Sequence, residues 1–200
     1  MHVKYSKKRF TCKRELQSEF AFSSWQLRDG LCAEEGRVLS YWMDVGWGSL
    51  VKEGKAAATF DDDLADAVAD MIRNRWRPWT PKKNWGWVTC VPSNSDNHRK
   101  LVPDFTKRLA DRLRLPFRRV VVKVGNNEPQ KECKNNYHRC KNLDGVFKIK
   151  EQEKLLQGPV LLVDDIVRSS WTVTNVASLL RQHGSGPVFP VALALIGTED

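Results

Sequence analysis

Short apolar runs alternate with amphipathic segments along the second half of this 200-residue sequence. The runs have the length of buried strands, and the amphipathic segments repeat their apolar residues every three or four positions, as one face of a helix does. Strands that alternate with helices predict the α/β class, with a mainly parallel, twisted sheet flanked by helices. The predicted strands are 87–91, 119–124, 160–163 and 188–196, and the predicted helices are 101–113 and 172–183.

The first part of the chain has a pattern that predicts a smaller, mostly helical region. A short helix is expected from residue 34, with Val38 and Trp42 on one face, and it should end at the glycines that begin at residue 46. Three aspartates at 61–63 open a second helix, because acidic residues suit the positive end of the helix dipole. Apolar residues follow these aspartates at four-residue spacing, which supports that helix.

Two prolines and two lysines in residues 79–84 mark the predicted boundary between the two parts of the chain. Residues 1–83 are expected to form a basic, mostly helical N-terminal region. Residues 84–200 are expected to form the α/β domain.

Composition and charge narrow the class of partner. The chain has 33 Lys and Arg against 24 Asp and Glu, a net charge of +9, which favours nucleic acid or phosphorylated small molecules as partners. The apolar runs are too short to span a bilayer and no signal sequence is evident, which predicts a cytoplasmic protein without a membrane partner. Five scattered cysteines predict no disulfide framework, and the group Cys133, His138 and Cys140 matches no metal-binding spacing.

The stretch from Val160 to Thr172 carries the candidate chemistry. An apolar strand runs directly into two aspartates, and a hydroxyl-rich turn and a helix follow. Ligands of open α/β folds bind at the carboxyl edge of the sheet, and the first turn of a helix offers unpaired N–H groups to an anion. The two carboxylates can accept hydrogen bonds from the two hydroxyls of a ribose. The candidate ribose and phosphate ligands are Asp164, Asp165, Arg168, Ser169, Ser170, Trp171 and Thr172.

This segment resembles the phosphoribosyl-pyrophosphate (PRPP) motif of type I phosphoribosyltransferases, in which an apolar strand and two acids precede a Thr/Ser-Gly-x-Thr turn. The sequence departs from the motif at Ser170, where the family usually has glycine, and at the bulky Trp171. We expect both departures to narrow the turn. A narrower turn favours a site that binds a phosphorylated ribose over one that catalyses a reaction of PRPP. The positions that match are Asp164, Asp165, Ser169 and Thr172.

Two further segments resemble parts of the same family. The family has a loop that contacts pyrophosphate after an earlier strand, here 92–100, and a long flexible loop that closes over the site, here 125–141. Residues 129–130 and 142–147 also look like the Pro-Gln…Asn-x-x-Gly-x-Phe pattern of ComF-type phosphoribosyltransferase homologues. The resemblance implies that Mg²⁺ enters with PRPP and is not held by protein side chains. The implied residues are Ser93, Asn94, Arg99 and Lys100 in the pyrophosphate loop, and Gln130, Lys131 and Asn142 in the flexible loop.

A wider resemblance covers roughly residues 34–194. It is to the C-terminal region of certain bacterial RecQ-like DNA helicases, which carries a phosphoribosyltransferase-like domain after the helicase core. The resemblance implies an accessory role in DNA processing or repair, with DNA as a partner and a helicase core in cis or in trans. The chain itself contains no helicase or ATPase motif. The segments that carry the resemblance are 36–48, 87–93, 129–131 and 162–165.

Three functions stay open at this point. The first is a binding module for a phosphorylated ribose or a nucleic-acid phosphate, and the second is an active Mg²⁺-dependent transferase that moves phosphoribose from PRPP to a nitrogen acceptor. The third is an interaction domain with an inactive site. Phosphate contacts would come from basic residues outside the motif, namely Arg73, Arg75, Arg77, Lys82, Lys83, Arg112, Arg114, Arg118 and Arg119.

Overall fold

A computed structural model describes residues 9–12, 30–76, 86–93, 99–125, 142–143, 145–151 and 155–197. The described residues form strands, α-helices and a π-helical turn at Met71–Arg75. The strands are β1 (Arg9–Phe10), β2 (Gly36–Tyr41), β3 (Trp87–Cys90), β4 (Val121–Lys123), β5 (Phe147–Ile149), β6 (Val160–Val167) and β7 (Val188–Leu195), and the helices are α1 (Trp47–Ala57), α2 (Asp62–Asp70), α3 (Leu101–Leu113) and α4 (Trp171–Gln182).

A five-stranded sheet in the order β1-β2-β7-β6-β3 forms the centre of the described chain. Four of these strands are parallel to their neighbours, and β1 pairs with β2 in the antiparallel sense. The prediction of a mainly parallel sheet flanked by helices is therefore confirmed. Because β2, β7, β6 and β3 run in one direction, their carboxyl ends share one edge, and ligands of open parallel sheets bind at that edge.

Helices cover both faces of the sheet, and β6 is buried between them. Leu161 and Val163 of β6 pack into the cluster that includes residues of α1, α2 and α3. Val160 and Leu162 pack into the cluster that includes α4. This alternation follows from strand geometry, in which successive side chains point to opposite faces.

The helix expected from residue 34 is wrong, since Gly36–Tyr41 is the strand β2. Val38 and Leu39 are both buried, and the strand pairs with β7. A short apolar run lacks the periodicity that separates a helix from a strand buried on both faces, so the local pattern was ambiguous. The helix α1 begins only after Gly46, whose φ of 91° favours glycine.

The other predicted elements are present, with shifted bounds in places. The helix predicted at 101–113 is α3, and the helix predicted from 61–63 is α2, whose N-cap Asp61 accepts the N–H of Asp63 at 2.8 Å. The strand predicted at 119–124 is the shorter β4, which pairs with β5 outside the main sheet. The main sheet includes β2 as well as β3, β6 and β7, so it has strands from both sides of the predicted boundary at residue 84.

Two arginines of α3 hold that helix against α2. Arg108 lies 2.8 Å from Asp62, and Arg112 lies 2.9 Å from the same carboxylate and also contacts Asp66. Hydrogen bonds from Arg108 and Arg112 hold the pKa of Asp62 below its usual value. Arg112 therefore already has anionic partners within the protein, which weakens its candidacy as a phosphate contact.

Gly48 lets α1 lie close to the end of β2. A Cβ at this position would stand 2.3 Å from the backbone oxygen of Tyr41, which cannot move aside as a flexible side chain can. We expect Gly48→Ala to lower the free energy of unfolding by about 1–3 kcal/mol through overpacking, although alanine favours helix formation. Thermal unfolding would show this as a loss of about 2–4 °C in Tm per kcal/mol.

Gly197→Ala is the control for this prediction, because a Cβ at Gly197 meets nothing within 4 Å. Its Tm should equal that of the wild type. If Gly48→Ala also kept the wild-type Tm, the close approach of α1 to Tyr41 would be contradicted.

Candidate functional site

The candidate site lies where β6 reaches the carboxyl edge of the sheet. β6 pairs with β3 only as far as Val163, opposite Cys90, but it stays paired with β7 as far as Val167. The strand is therefore longer than the predicted 160–163, and Asp164 and Asp165 belong to it. Among the described residues, no strand pairs with β6 on its β3 side beyond Val163.

The two acids face different helices, because successive side chains of a strand alternate between its faces. Asp165 has the orientation of Val163, which packs on the side of α1, α2 and α3. Asp164 has the orientation of Leu162, which packs on the side of α4. The carboxyl group of Asp164 is thus the one on the side of the turn that leads into α4.

Asp165 is held by contacts within the protein. Its Oδ2 lies 2.5 Å from Nζ of Lys55, in the last turn of α1, and its Oδ1 accepts the N–H of Ile166 at 2.7 Å. The side chain of Asp165 is 12% exposed and that of Lys55 is 31% exposed. Lys55 is a site residue that sequence reasoning missed, and it compensates the charge of one of the two acids.

Asp164 lies in a less favourable place for a negative charge. Burial and the neighbouring Asp165 raise the pKa of Asp164 to about 8. The backbone N–H of Asp165, which donates to Oδ1 of Asp164 at 2.9 Å, and the charge of Lys55 act in the opposite direction. In the absence of ligand, Asp164 therefore holds a proton over much of the neutral pH range.

The turn between β6 and α4 presents backbone donors next to Asp164. Ser170 has φ 59° and ψ −3°, a left-handed conformation, and its carbonyl accepts both the N–H and the hydroxyl of Thr174. The first N–H groups of α4 have no acceptor within the helix and lie at the positive end of its dipole. Arg168 is exposed, and Ser169 and Thr172 are half-buried, so all three can reach an anion at the turn.

Trp171 does not fill the turn. Its side chain is 5% exposed and packs in the core cluster beneath α4, with Val176 and Leu180. The prediction that its bulk narrows the turn is not what the packing shows, because size alone does not give the direction of a side chain. Only its backbone N–H, in the first helical turn, can contribute to an anion site.

The first and last residues of the predicted pyrophosphate loop, 92–93 and 99–100, are described. Ser93 follows β3, the strand next to β6, and Arg99 and Lys100 are exposed immediately before α3. These residues lie at the carboxyl edge because β3 ends there. Asn94 lies outside the described residues.

The predicted flexible loop falls mostly outside the described residues, including Gln130, Lys131, Cys133, His138 and Cys140. The residues just after this loop are described. Asn142 is half-buried, and the next residue, Leu143, accepts a hydrogen bond through its carbonyl from Asn175 of α4 at 3.4 Å. Leu143 therefore lies against α4, the helix on the side of Asp164.

Two further cations, Arg119 and Lys150, act electrostatically on the thiol of Cys90, as Asp164 does. Burial raises the pKa of Cys90 to about 12, and the charges that act on this thiol are those of Arg119, Lys150 and Asp164. Lys150 also donates its N–H to the carbonyl of Val120, so the ends of β4 and β5 bring both cations to this place. Sequence reasoning named Arg119 only as a general phosphate contact and missed Lys150, since no local spacing links it to Asp164.

Within the described ranges, no three His, Cys, Asp or Glu side chains are grouped so that they could hold a metal ion. No helix in the described part of the chain has the length and apolar character needed to cross a membrane.

The sequence matches no protein-family model and no curated protein. Among solved structures, an adenine phosphoribosyltransferase is 19% identical with a TM-score of 0.43, over 66% of this chain and 72% of that chain. The adenine phosphoribosyltransferase of Trypanosoma brucei, in complex with AMP, pyrophosphate and ribose-5-phosphate, is 12% identical with a TM-score of 0.39, over 74% and 70%. The hypoxanthine-guanine phosphoribosyltransferase of L. donovani is 16% identical with a TM-score of 0.37, over 72% and 71%. These overlaps are partial. A functional assignment therefore depends on the residues of the site.

Ser170 provides a first test of the turn. A side chain with a Cβ in the left-handed region costs about 1 kcal/mol, and glycine carries no such cost. We expect Ser170→Gly to raise the free energy of unfolding by about 0.5–1 kcal/mol, measured by urea or thermal unfolding. Ser169→Gly is the matched control, because Ser169 has no positive φ and should gain nothing. A Ser170→Gly protein no more stable than Ser169→Gly would contradict the left-handed conformation.

Asp164 provides a second test, through the dependence of stability on pH. Because its pKa is raised in the folded protein, protonated Asp164 contributes stability at low pH that is lost as pH rises from about 4 towards about 8. Asp164→Asn cannot ionise, so the difference in Tm between variant and wild type should grow in favour of the variant over this interval. A gain of about 3 °C or more is expected at pH 8.5 relative to pH 4. A difference in Tm that does not change with pH would show that the carboxyl group is not destabilised when charged.

Proposed function

We propose that this protein binds a phosphorylated ribose of the PRPP type at the carboxyl edge of a type I phosphoribosyltransferase-like sheet. The observation that carries the proposal is the placement of Asp164, at the end of a buried strand, beside a turn that presents the N-terminus of α4. Carboxylates are acceptors for sugar hydroxyls, and helix N-termini bind phosphate. A ribose that carries a 5-phosphate has both sugar hydroxyls and a phosphate in one small molecule.

The residues around the turn suggest how such a ligand is held. The 5-phosphate would lie against the hydroxyls of Ser169, Ser170 and Thr172 and the first N–H groups of α4, with Arg168 at its exposed side. The ribose hydroxyls would lie against the pair Asp164 and Asp165. Mg²⁺ would enter with the pyrophosphate group, whose oxygens would supply most of its ligands.

The pyrophosphate group would extend towards the loop after β3. Ser93, Asn94, Arg99 and Lys100 are its proposed contacts, and charge complementarity favours the two cations. The flexible loop with Gln130, Lys131 and Asn142 would close over the ligand. The contact of Leu143, which follows this loop, with α4 supports that assignment.

The proposed role in the cell is accessory to a RecQ-like helicase in DNA processing or repair. The net charge of +9 supports a contact with DNA, because a basic surface attracts the phosphate backbone without reading sequence. Arg73, Arg114, Arg118 and Arg119 are exposed and could provide such contacts. The helicase core would be present in cis or in trans, and a cytoplasmic location fits this role.

Isothermal titration with ribose 5-phosphate, and with PRPP plus Mg²⁺, tests the proposed function. The wild type should bind both, and PRPP more tightly, because it adds the pyrophosphate contacts. Above about pH 8, where Asp164 is ionised, Asp164→Asn should weaken binding of both ligands by about tenfold or more, since a hydrogen bond between a charged group and a sugar hydroxyl is worth about 1.5–3 kcal/mol.

Asp111→Asn is the matched control, because Asp111 is exposed near the C-terminal end of α3 and pairs with Lys107. It should bind as the wild type does. Absence of heat with either ligand at millimolar concentration would overturn the proposed function. Equal affinity of wild type and Asp164→Asn would overturn the placement of the ribose.

A further inference from the structure

The ion pair between Lys55 and Asp165 joins α1 to the candidate site. The two residues are 110 positions apart in the sequence, and their Nζ and Oδ2 atoms lie 2.5 Å from each other. The pair is largely shielded from water, and the second oxygen of Asp165 already accepts the N–H of Ile166. Both oxygens of Asp165 are therefore engaged before any ligand arrives.

Asp164 differs from its neighbour in this respect. Its Oδ1 accepts the N–H of Asp165 at 2.9 Å, and no other hydrogen bond or ion pair to Asp164 is formed within the part of the chain that the structure describes. It also lies on the α4 side of the strand, next to the turn. Of the two acids, Asp164 has the free acceptor capacity that a ribose hydroxyl needs.

We propose that Lys55 is a positioning residue of the phosphoribose site: it holds Asp165 in an internal ion pair and leaves Asp164 as the carboxyl group that contacts the ribose. This inference rests on the phosphoribose binding proposed above. The motif assigns the ribose contact to both acids, whereas here Asp164 contacts the ribose and Asp165 pairs with Lys55. The N-terminal helix thereby becomes part of the site.

Charge balance is the physical reason for this division. Two adjacent carboxylates at the end of a buried strand repel each other, and a cation beside one of them lowers the free energy of having both ionised. The charges that act on the carboxyl group of Asp164 in the described chain are those of Asp165 and Lys55, and Asp164 itself acts on the thiol of Cys90, as Arg119 and Lys150 do. Three further cations are exposed at the same edge of the sheet, namely Arg168, Arg99 and Lys100. β7 contributes alanines opposite Asp164 and Ile166, which provide no charge. Lys55 is the cation in direct contact with the acid pair.

Without Lys55, Asp165 would keep a buried charge with no partner, which is costly. Its side chain would turn towards water, and the strand end that carries Asp164 would lose its fixed geometry. The position of Asp164 relative to the turn would then vary, so a ligand that needs both the carboxylate and the turn would bind less tightly.

The test is a double-mutant cycle on the affinity for ribose 5-phosphate, measured by isothermal titration. Lys55→Met and Asp165→Asn should each weaken binding by about tenfold. The double variant should bind within about twofold of the weaker single variant, since the two residues act as one unit. Lys55→Arg keeps the charge and should recover most of the affinity. Lys52→Met is the matched control, because Lys52 is exposed on the same helix and should leave binding unchanged.

A second measurement separates positioning from a general structural effect. The charge of Lys55 lowers the pKa of Asp164, so its removal should raise the pH at which binding of ribose 5-phosphate reaches half of its maximum. A carbon-13 NMR titration of the Asp164 carboxyl group, without ligand, should show the same upward shift in Lys55→Met. A merely looser fold would weaken binding equally at every pH and would leave this midpoint in place.

The possible outcomes are distinct. Additive losses in the cycle would show that Lys55 contacts the ligand directly and would overturn the positioning role. Equal affinity and equal pH midpoint in wild type and Lys55→Met would overturn it while leaving the proposed function in place. Absence of binding by the wild type would overturn the proposed function and this role together. The double variant guards against misfolding, since it leaves no unpaired buried charge.

Discussion

Two neighbouring carboxylates stand at the end of a strand that is buried on both faces, and the rest of the site is arranged around their charge. The strand is buried among apolar side chains up to Val163, and such surroundings solvate an ion poorly. The free-energy cost of a buried negative charge is reduced in a different way for each acid. Asp165 is neutralised by Lys55, whereas Asp164 has a raised pKa and depends on backbone N–H groups and more distant cations.

This division follows from the geometry of a single strand. Side chains alternate between the faces of β6 as far as its acids, so Asp165 contacts Lys55 directly and Asp164 does not. One acid points towards the layer of α1, α2 and α3, from which a lysine reaches it. The other lies on the side of α4, where the positive end of the helix and the turn at Ser170 would attract an anion. A phosphate at that turn and a hydroxyl-bearing ring at Asp164 are compatible, since the repulsion between phosphate and carboxylate is offset by Lys55, Arg119, Lys150 and Arg168.

Local pattern predicted the parts of the site that depend on consecutive residues. The strand, the two acids, the turn and α4 are adjacent in sequence, and the amphipathic repeat of α3 gave its bounds. The local pattern did not predict the features that depend on contacts between residues far apart in the sequence. The apolar run of β2 is compatible with a strand or a helix, and its pairing with β7 shows that it is a strand. β6 runs on through its acids because β7 continues beside it, and Lys55 is 110 positions from its partner.

The N-terminal elements therefore belong to the site as much as the motif does. β2 extends the sheet beyond β7, and α1 follows it back across the carboxyl edge, where a carbonyl of β2 allows only a glycine at Gly48. Close packing at Gly54, where a Cβ would meet the ring of Phe60, fixes the last turn of the same helix. Lys55 follows Gly54 in the sequence. The end of a closely packed helix, and not a loop, therefore holds its ammonium group at Asp165. The acid pair of the motif thus owes its charge state to a part of the chain that no motif includes.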